Sequence, residues 1–135
     1  MTPIEDDRYC FLCGRDNPIG LHVEPKRESG RCEIRWMPAR EYQGFRDVLH
    51  GGIISALLDE AMAHAVLSVA PGAATASLSA CFRKPVRTDR EIVVRARVDE
   101  RRGRLLRASG VLVQEGEERA AAEAKFVVIS RKPEA

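Results

Sequence analysis

Residues 50–69 read HGGIISALLDEAMAHAVLSV, from His50 to Val69. After the two glycines, only Ser55, Asp59, Glu60, His64 and Ser68 interrupt a run of Ile, Leu, Ala, Val and Met. Most of these are good helix formers, and Pro71-Gly72 is a strong stop. A helix is therefore expected from just after His50 to about Val69. At about 100° per residue, Ser55 and Asp59 fall on one line, while Glu60, His64 and Ser68 form another, about 100° or more away. A helix apolar on nearly all sides is a buried one. An acidic pair at its middle is costly unless it is paired, solvated through a cleft, or used.

Outward from the helix, the hydrophobic period changes to two. Ala76, Leu78, Ala80 and Phe82 alternate with Thr75, Ser77, Ser79 and Cys81. The same alternation recurs at Ile92 to Val98, at Leu106 to Leu112 and at Ala120 to Val128. Thr88-Asp89, Arg102-Gly103 and Glu115-Gly116 mark the turns between these runs. This predicts a long antiparallel meander with one polar face. Upstream, residues 31–37 alternate, with Cys32, Ile34 and Trp36 on one face, and residues 20–27 suggest a short strand confined to an edge by Pro25. Tyr42 to Leu49 reads as an irregular loop. The order is strands, one apolar helix, then four strands: an α+β layout in which only a curling sheet could bury the helix.

A chain of 135 residues suggests one domain. Apolar residues at 44% and charged residues at 31% are ordinary for a globular protein, and no stretch approaches the roughly 18 apolar residues of a membrane span. The opening MTPIEDDRYC is acidic where a signal peptide would be basic, so a cytoplasmic location is expected. A net charge of +2, with few aromatic residues, argues against nucleic acid as a partner. The segment from Arg83 to Arg107 is enriched in basic residues; it could face a phosphorylated ligand or be the solvated side of strands. Four cysteines are too few for a disulfide scaffold. Cys10-x-x-Cys13 with His22 and Cys32 has a spacing that admits zinc, but no second CxxC or paired histidine completes the set, so no metal is assigned. No βαβ context supports a redox CxxC.

A glycine-containing loop, His50-Gly51-Gly52, Asp59 nine residues after the histidine, and a strand ending in FRKPV together resemble the PaaI-like acyl-CoA thioesterases of the hotdog superfamily. The lead-in Cys10-Phe11-Leu12-Cys13-Gly14 with Asn17-Pro18-Ile19-Gly20-Leu21 is similar to one bacterial branch of that family, and the resemblance runs from about Cys10 to Ile129. It implies a curved antiparallel sheet wrapped round the central helix, with residues 1–19 as a lead-in and 20–131 as the hotdog domain. It also implies pairing into a homodimer or a dimer of dimers, acyl-CoA as substrate and no cofactor. Carried over residue by residue, Gly51 matches the glycine whose N–H polarises the thioester carbonyl. Asp59 matches the acid that activates water or attacks. Thr75 falls where a hydroxyl assists. Some members carry an Asn six residues before the histidine; that place is Gly44 here, with Gln43 beside it as a substitute.

Hydrolysis of a thioester builds negative charge on the carbonyl oxygen. A helix N-terminus offers free N–H groups there, and Gly51-Gly52 permits close approach of an acyl group. A carboxylate must deliver or be the nucleophile. Gly51 and Asp59 are eight residues apart, roughly 12 Å along one helix, too far to share one carbonyl. If both act, they come from different subunits. Other readings stand beside these. His50 could only cap and anchor the helix, Gly51-Gly52 could be a tight turn, and Asp59 could be a satisfied buried acid. Glu60 is the rival acid at the substrate, or pairs with His64. Arg83 and Lys84 could meet CoA phosphates or form surface ion pairs. A non-catalytic acyl-thioester binder and a hotdog hydratase or dehydratase are the alternatives in function.

Overall fold

The computed structural model describes residues 4–129. One helix, α1 (Gly51–Leu67), lies against a six-stranded antiparallel sheet of β1 (Lys26–Glu28), β2 (Arg31–Trp36), β3 (Ala73–Phe82), β4 (Ile92–Arg102), β5 (Leu105–Gln114) and β6 (Glu117–Val128). A 3₁₀ turn, Arg40–Tyr42, precedes the loop that leads into α1. The helix starts where His50 caps it and ends at Leu67, with Gly72 in the left-handed region (φ +85°) turning the chain into β3.

Strand order is β1-β2-β4-β5-β6-β3. The expected meander therefore holds for β4, β5 and β6, but β3 does not neighbour β4. It crosses to the far edge and pairs with β6, Leu78 opposite Ala124 and Phe82 opposite Ala120. Alternation reports which face a residue takes, not which strand it joins, so this could not be read from period alone. The strand expected over residues 20–27 is only Lys26–Glu28; the described residues before it, 4–25, run without strand pairing. Glu115 and Gly116 both have positive φ, 53° and 75°, the conformation of a two-residue hairpin turn between β5 and β6.

The core is the inner face of the sheet closed over α1. Ile54, Leu57, Leu58, Ala61, Met62, Ala65 and Val66 are buried from the helix, against Ile34, Ile92, Val94, Leu106, Leu112 and Phe126. Small residues line the middle of the sheet at Ala96, Ala108, Gly110, Ala122 and Ala124. A Cβ at Gly110 would stand 3.2 Å from the Arg95 carbonyl oxygen and 3.5 Å from Leu58, so glycine there lets helix and sheet approach closely. The helix is not buried all round. Gly52, Ser55, Ala56, Asp59 and Ala63, which fall within one narrow angular stripe, remain exposed or half-buried.

The segment before β1 is docked rather than loose. Leu12, Asn17, Leu21 and Val23 are buried, and Leu21 N–H and Val23 N–H donate to the carbonyls of Phe11 and Leu12. Among the described residues no helix is long and apolar enough to cross a membrane.

Candidate active site

The first turn of α1 organises the site. His50 is extended at the N-cap (φ −60°, ψ 134°), and its Nδ1 accepts the Gly52 N–H at 2.8 Å. The imidazole therefore consumes one of the orphan donors of the helix start. The Gly51 N–H has no acceptor among the described residues and lies at the wall of a cleft of about 620 Å³. Gly44, Phe45, His50, Gly51, Ile54, Phe82, Arg83 and Lys84 line that cleft. A Cβ on Gly51 would stand 3.9 Å from the Phe82 ring, so glycine keeps the floor of the cleft low beside an aromatic wall.

Two loops frame this cleft and are zipped to each other. Leu49 N–H donates to the Val86 carbonyl at 2.7 Å, and Val48 bridges to Arg87. The second loop is pinned from below by buried Gln114, whose amide accepts from Arg87 N–H and donates to the carbonyls of Arg87 and Arg90. Within the first loop, Gln43 Oε1 accepts the Asp47 N–H at 3.2 Å, so its side chain serves the loop. Gly44 sits beside His50: an added Cβ would be 3.4 Å from the His50 Cα, ordinary contact distance. A side chain at this place in the cleft wall would pack against His50.

Asp59 stands two turns further along α1, on the exposed stripe, and accepts the Thr75 hydroxyl at 2.8 Å. Simple alternation would send Thr75 to the outer face with Ser77 and Ser79. A β-bulge between Thr75 and Ser77 absorbs Ala76, so Thr75 pairs opposite Phe126 and turns toward the helix. Burial pushes the Asp59 carboxyl above the ordinary carboxylate range, the Thr75 hydroxyl pulls it back, and the charge of Glu60 pushes it up. Asp59 and Thr75 do not line the Gly51 cleft of their own chain.

Glu60 points away from both groups, toward the N-terminal segment. It takes a 2.9 Å hydrogen bond from His64 Nε2 and lies 3.8 Å from Cys10 Sγ. Burial raises the Glu60 carboxyl, but its hydrogen bonds to His64 and Cys13 outweigh that and hold it below the usual range. Glu60 is thus bonded to His64 and does not line the Gly51 cleft of its own chain. Arg83 and Lys84 do reach the cleft, yet their charges are paired with Glu118 and Glu117. Elsewhere in the basic segment, Arg95 pairs with Glu33 at 3.0 Å and Arg97 with Asp99 at 2.9 Å, the solvated-strand reading. The zinc grouping of Cys10 and Cys13 with His22 and Cys32 does not form: His22 Nε2 bonds the Asn17 carbonyl at 2.7 Å, and Cys32 is buried in the core.

Among lining residues, Phe45 and Phe82 went unassigned in the sequence. Phe82 closed an alternating run and so read as core, whereas the strand end leaves it 52% exposed beside Gly51. A second hollow, of about 650 Å³, lies on the sheet near Ser79, Arg97 and Ser109 and touches neither Gly51 nor Asp59.

The thioesterase superfamily profile matches residues 47–121, more than half of the sequence and the part holding His50, Gly51, Asp59 and Thr75. The chain belongs to the thioesterase superfamily. No curated sequence matches it. Among solved structures, a thioesterase superfamily protein superposes with a TM-score of 0.83 at 23% identity, over 89% of this chain and 63% of its own. This superfamily member therefore spans less than two thirds of that relative's length. A mutant of the phenylacetic acid degradation protein PaaI from Thermus thermophilus superposes at 0.76 and 20% identity, over 81% of this chain and 95% of its own. A Streptococcus mutans protein bound to acetyl CoA gives 0.77 at 16% identity, over 82% and 91%. These likenesses show the fold, which is the hotdog: a curved antiparallel sheet around one long helix.

Proposed function

We propose that this superfamily member is an acyl-CoA thioesterase, releasing free acid and CoA from an acyl or aryl thioester at a site shared by two subunits. The observation that carries this reading is the unpaired Gly51 N–H at the positive end of α1, facing a cleft with room for an acyl group. As a water or carboxylate oxygen attacks the thioester carbon, the carbonyl oxygen gains charge that this amide stabilises. Asp59, oriented by Thr75, either takes the proton from the attacking water and passes it to the departing CoA sulfur, or attacks directly, expelling the CoA thiolate and forming a mixed anhydride that a water then hydrolyses to free acid. Arg83 and Lys84 exchange their exposed ion pairs for CoA phosphates, a cheap exchange because such pairs contribute little.

Asp59 cannot serve the Gly51 of its own chain, since eight residues of helix separate them by about 12 Å. The complementary group comes from a second copy. Support for pairing lies in β3, whose sequence AATASLSACF carries no charge and whose outer edge pairs with no other strand among the described residues. Long uncharged edges are templates for another strand. Leu78 and Phe82 on that strand are 39% and 52% exposed, and the open stripe of α1 is the other surface a partner would cover. A homodimer joined along β3, or a dimer of such dimers, brings Asp59 of one chain toward Gly51 of the other.

Gly44 favours a second reading, a non-catalytic acyl-thioester binder, because the cleft wall there offers no side chain to hold water. Incubation with a panel of aryl-, short- and long-chain acyl-CoAs, following free CoA, separates the two. Release of CoA from at least one class is expected. Binding without release supports the binder, and turnover of an enoyl- or hydroxyacyl-CoA without release of CoA would move the protein to the hydratases.

A further inference from the structure

On the side of α1 away from Asp59 lies a cluster that hydrolysis does not use. The ligand atoms of Cys10, Cys13 and Glu60 lie within 4.8 Å of one another. His64, one turn after Glu60, joins them with its Nε2 2.9 Å from Glu60 Oε2 and 3.7 Å from Cys13 Sγ. Cys10 Sγ is 3.8 Å from Glu60 Oε1. All four residues are half-buried, between the docked N-terminal segment and the helix.

Zinc bonds of about 2.3 Å to sulfur and about 2.0–2.2 Å to nitrogen or oxygen set neighbouring ligand atoms about 3.4–3.8 Å apart in a tetrahedron. The Cys10–Glu60 sulfur–oxygen and Cys13–His64 sulfur–nitrogen separations match that spacing, and the His64–Glu60 nitrogen–oxygen pair is shorter because a hydrogen bond holds it. The cysteine turn points the same way independently. Leu12 N–H and Cys13 N–H both aim at Cys10 Sγ, at 3.3 and 3.5 Å. Two amides converging on one sulfur are the outer hydrogen bonds that a metal-bound cysteine sulfur accepts. Gly14 completes the turn: its N–H donates to the Cys10 carbonyl at 2.9 Å, and a Cβ there would lie 2.2 Å from the Cys10 nitrogen. Only glycine allows the chain to fold back so tightly over the first cysteine.

We propose that Cys10, Cys13, Glu60 and His64 bind one zinc ion, which clasps the N-terminal segment to the outer side of α1. Two thiol protons leave to solvent as the two sulfurs coordinate. His64 coordinates through Nε2, so its ring proton moves to Nδ1. There it displaces the hydrogen bond that Arg27 Nε now donates at 2.9 Å, and exposed Arg27 turns to water. With two sulfurs, one nitrogen and one carboxylate oxygen filling four positions, the ion is structural and the set favours zinc over harder cations.

The full chain, made without an affinity tag and purified under reducing conditions, is expected to carry about one zinc per chain. Cobalt(II) in its place is expected to give the strong visible bands of a four-coordinate ion and a sulfur-to-cobalt charge-transfer band. Cys13→Ser is expected to weaken cobalt binding by at least about 100-fold and diminish that band, and His64→Gln to weaken binding by at least about 10-fold while keeping it. The wild-type spectrum needs no variant to fold. The proposal is overturned if reduced protein gives only the weak spectrum of hydrated cobalt, if the charge-transfer band survives Cys10→Ser and Cys13→Ser unchanged, or if Cys10 and Cys13 are found as a disulfide and take up no metal after reduction.

Discussion

Glycine at the first two positions of α1 costs helix stability, about 1 kcal/mol against alanine at an interior site. Gly52 is held by the His50 cap, while Gly51 presents an N–H that nothing else among the described residues accepts. That donor can be deleted without disturbing the helix, because proline is favoured at the first helical position and His50 already has the extended backbone that precedes proline. Gly51→Pro is therefore expected to leave thermal stability nearly unchanged and to lower kcat by about 100–1,000-fold, checked by a melting curve and steady-state assays on the same preparation. Asp59 makes the opposite bargain. Its carboxyl is held above its ordinary range, so the native state binds its proton more tightly than the unfolded chain does, and stability falls as pH rises through that titration. Asp59→Asn should accordingly abolish turnover while the melting temperature at neutral pH stays level or rises. Thr75→Val removes the one hydrogen bond that pulls this carboxyl down; the acid limb of the pH–rate profile is expected to move to higher pH, whereas an unmoved limb would assign the limb to another group.

Among the elements, α1 was the most legible in the sequence, because seventeen residues with caps and a stop leave little competition. The inner faces of β4, β5 and β6 were legible for a similar reason, their alternation being sustained. β3 was not. Its partner is β6, set by the fold of the whole sheet, and its bulge at Ala76 reverses the face of Thr75 relative to a regular strand. The site divides along the same line. His50, Gly51 and Asp59 sit on the helix and could be placed by counting, whereas the surroundings of Arg83, Lys84 and Glu60 depend on acids and cysteines distant in sequence. The open edge of β3 yields a test of its own. Ser79 is exposed, opposite Glu123, so lysine there is tolerable in a single chain. Across a β3–β3 junction this lysine would stand close to its copy, and like charges there repel. Ser79→Lys is expected to shift the protein to monomer by light scattering, with an unchanged circular dichroism spectrum and with activity lost. A fully active monomer would show that pairing along β3 is not required.

For the whole molecule, the proposed function turns on symmetry. The two-fold dimer proposed above would hold two sites, each drawing Gly51 from one chain and Asp59 from the other. In a heterodimer of one Gly51→Pro chain and one Asp59→Asn chain, both lesions then fall in one site and the other site is intact. Each variant alone, as a homodimer, has two damaged sites. Co-expression with separable tags isolates the mixed species, and its rate of CoA release can be set against the wild-type dimer and the two variant homodimers. The purified heterodimer is expected to recover about half of the wild-type specific activity. Recovery no greater than that of the homodimers would mean that Gly51 and Asp59 of the same chain serve one site, contradicting the shared active site.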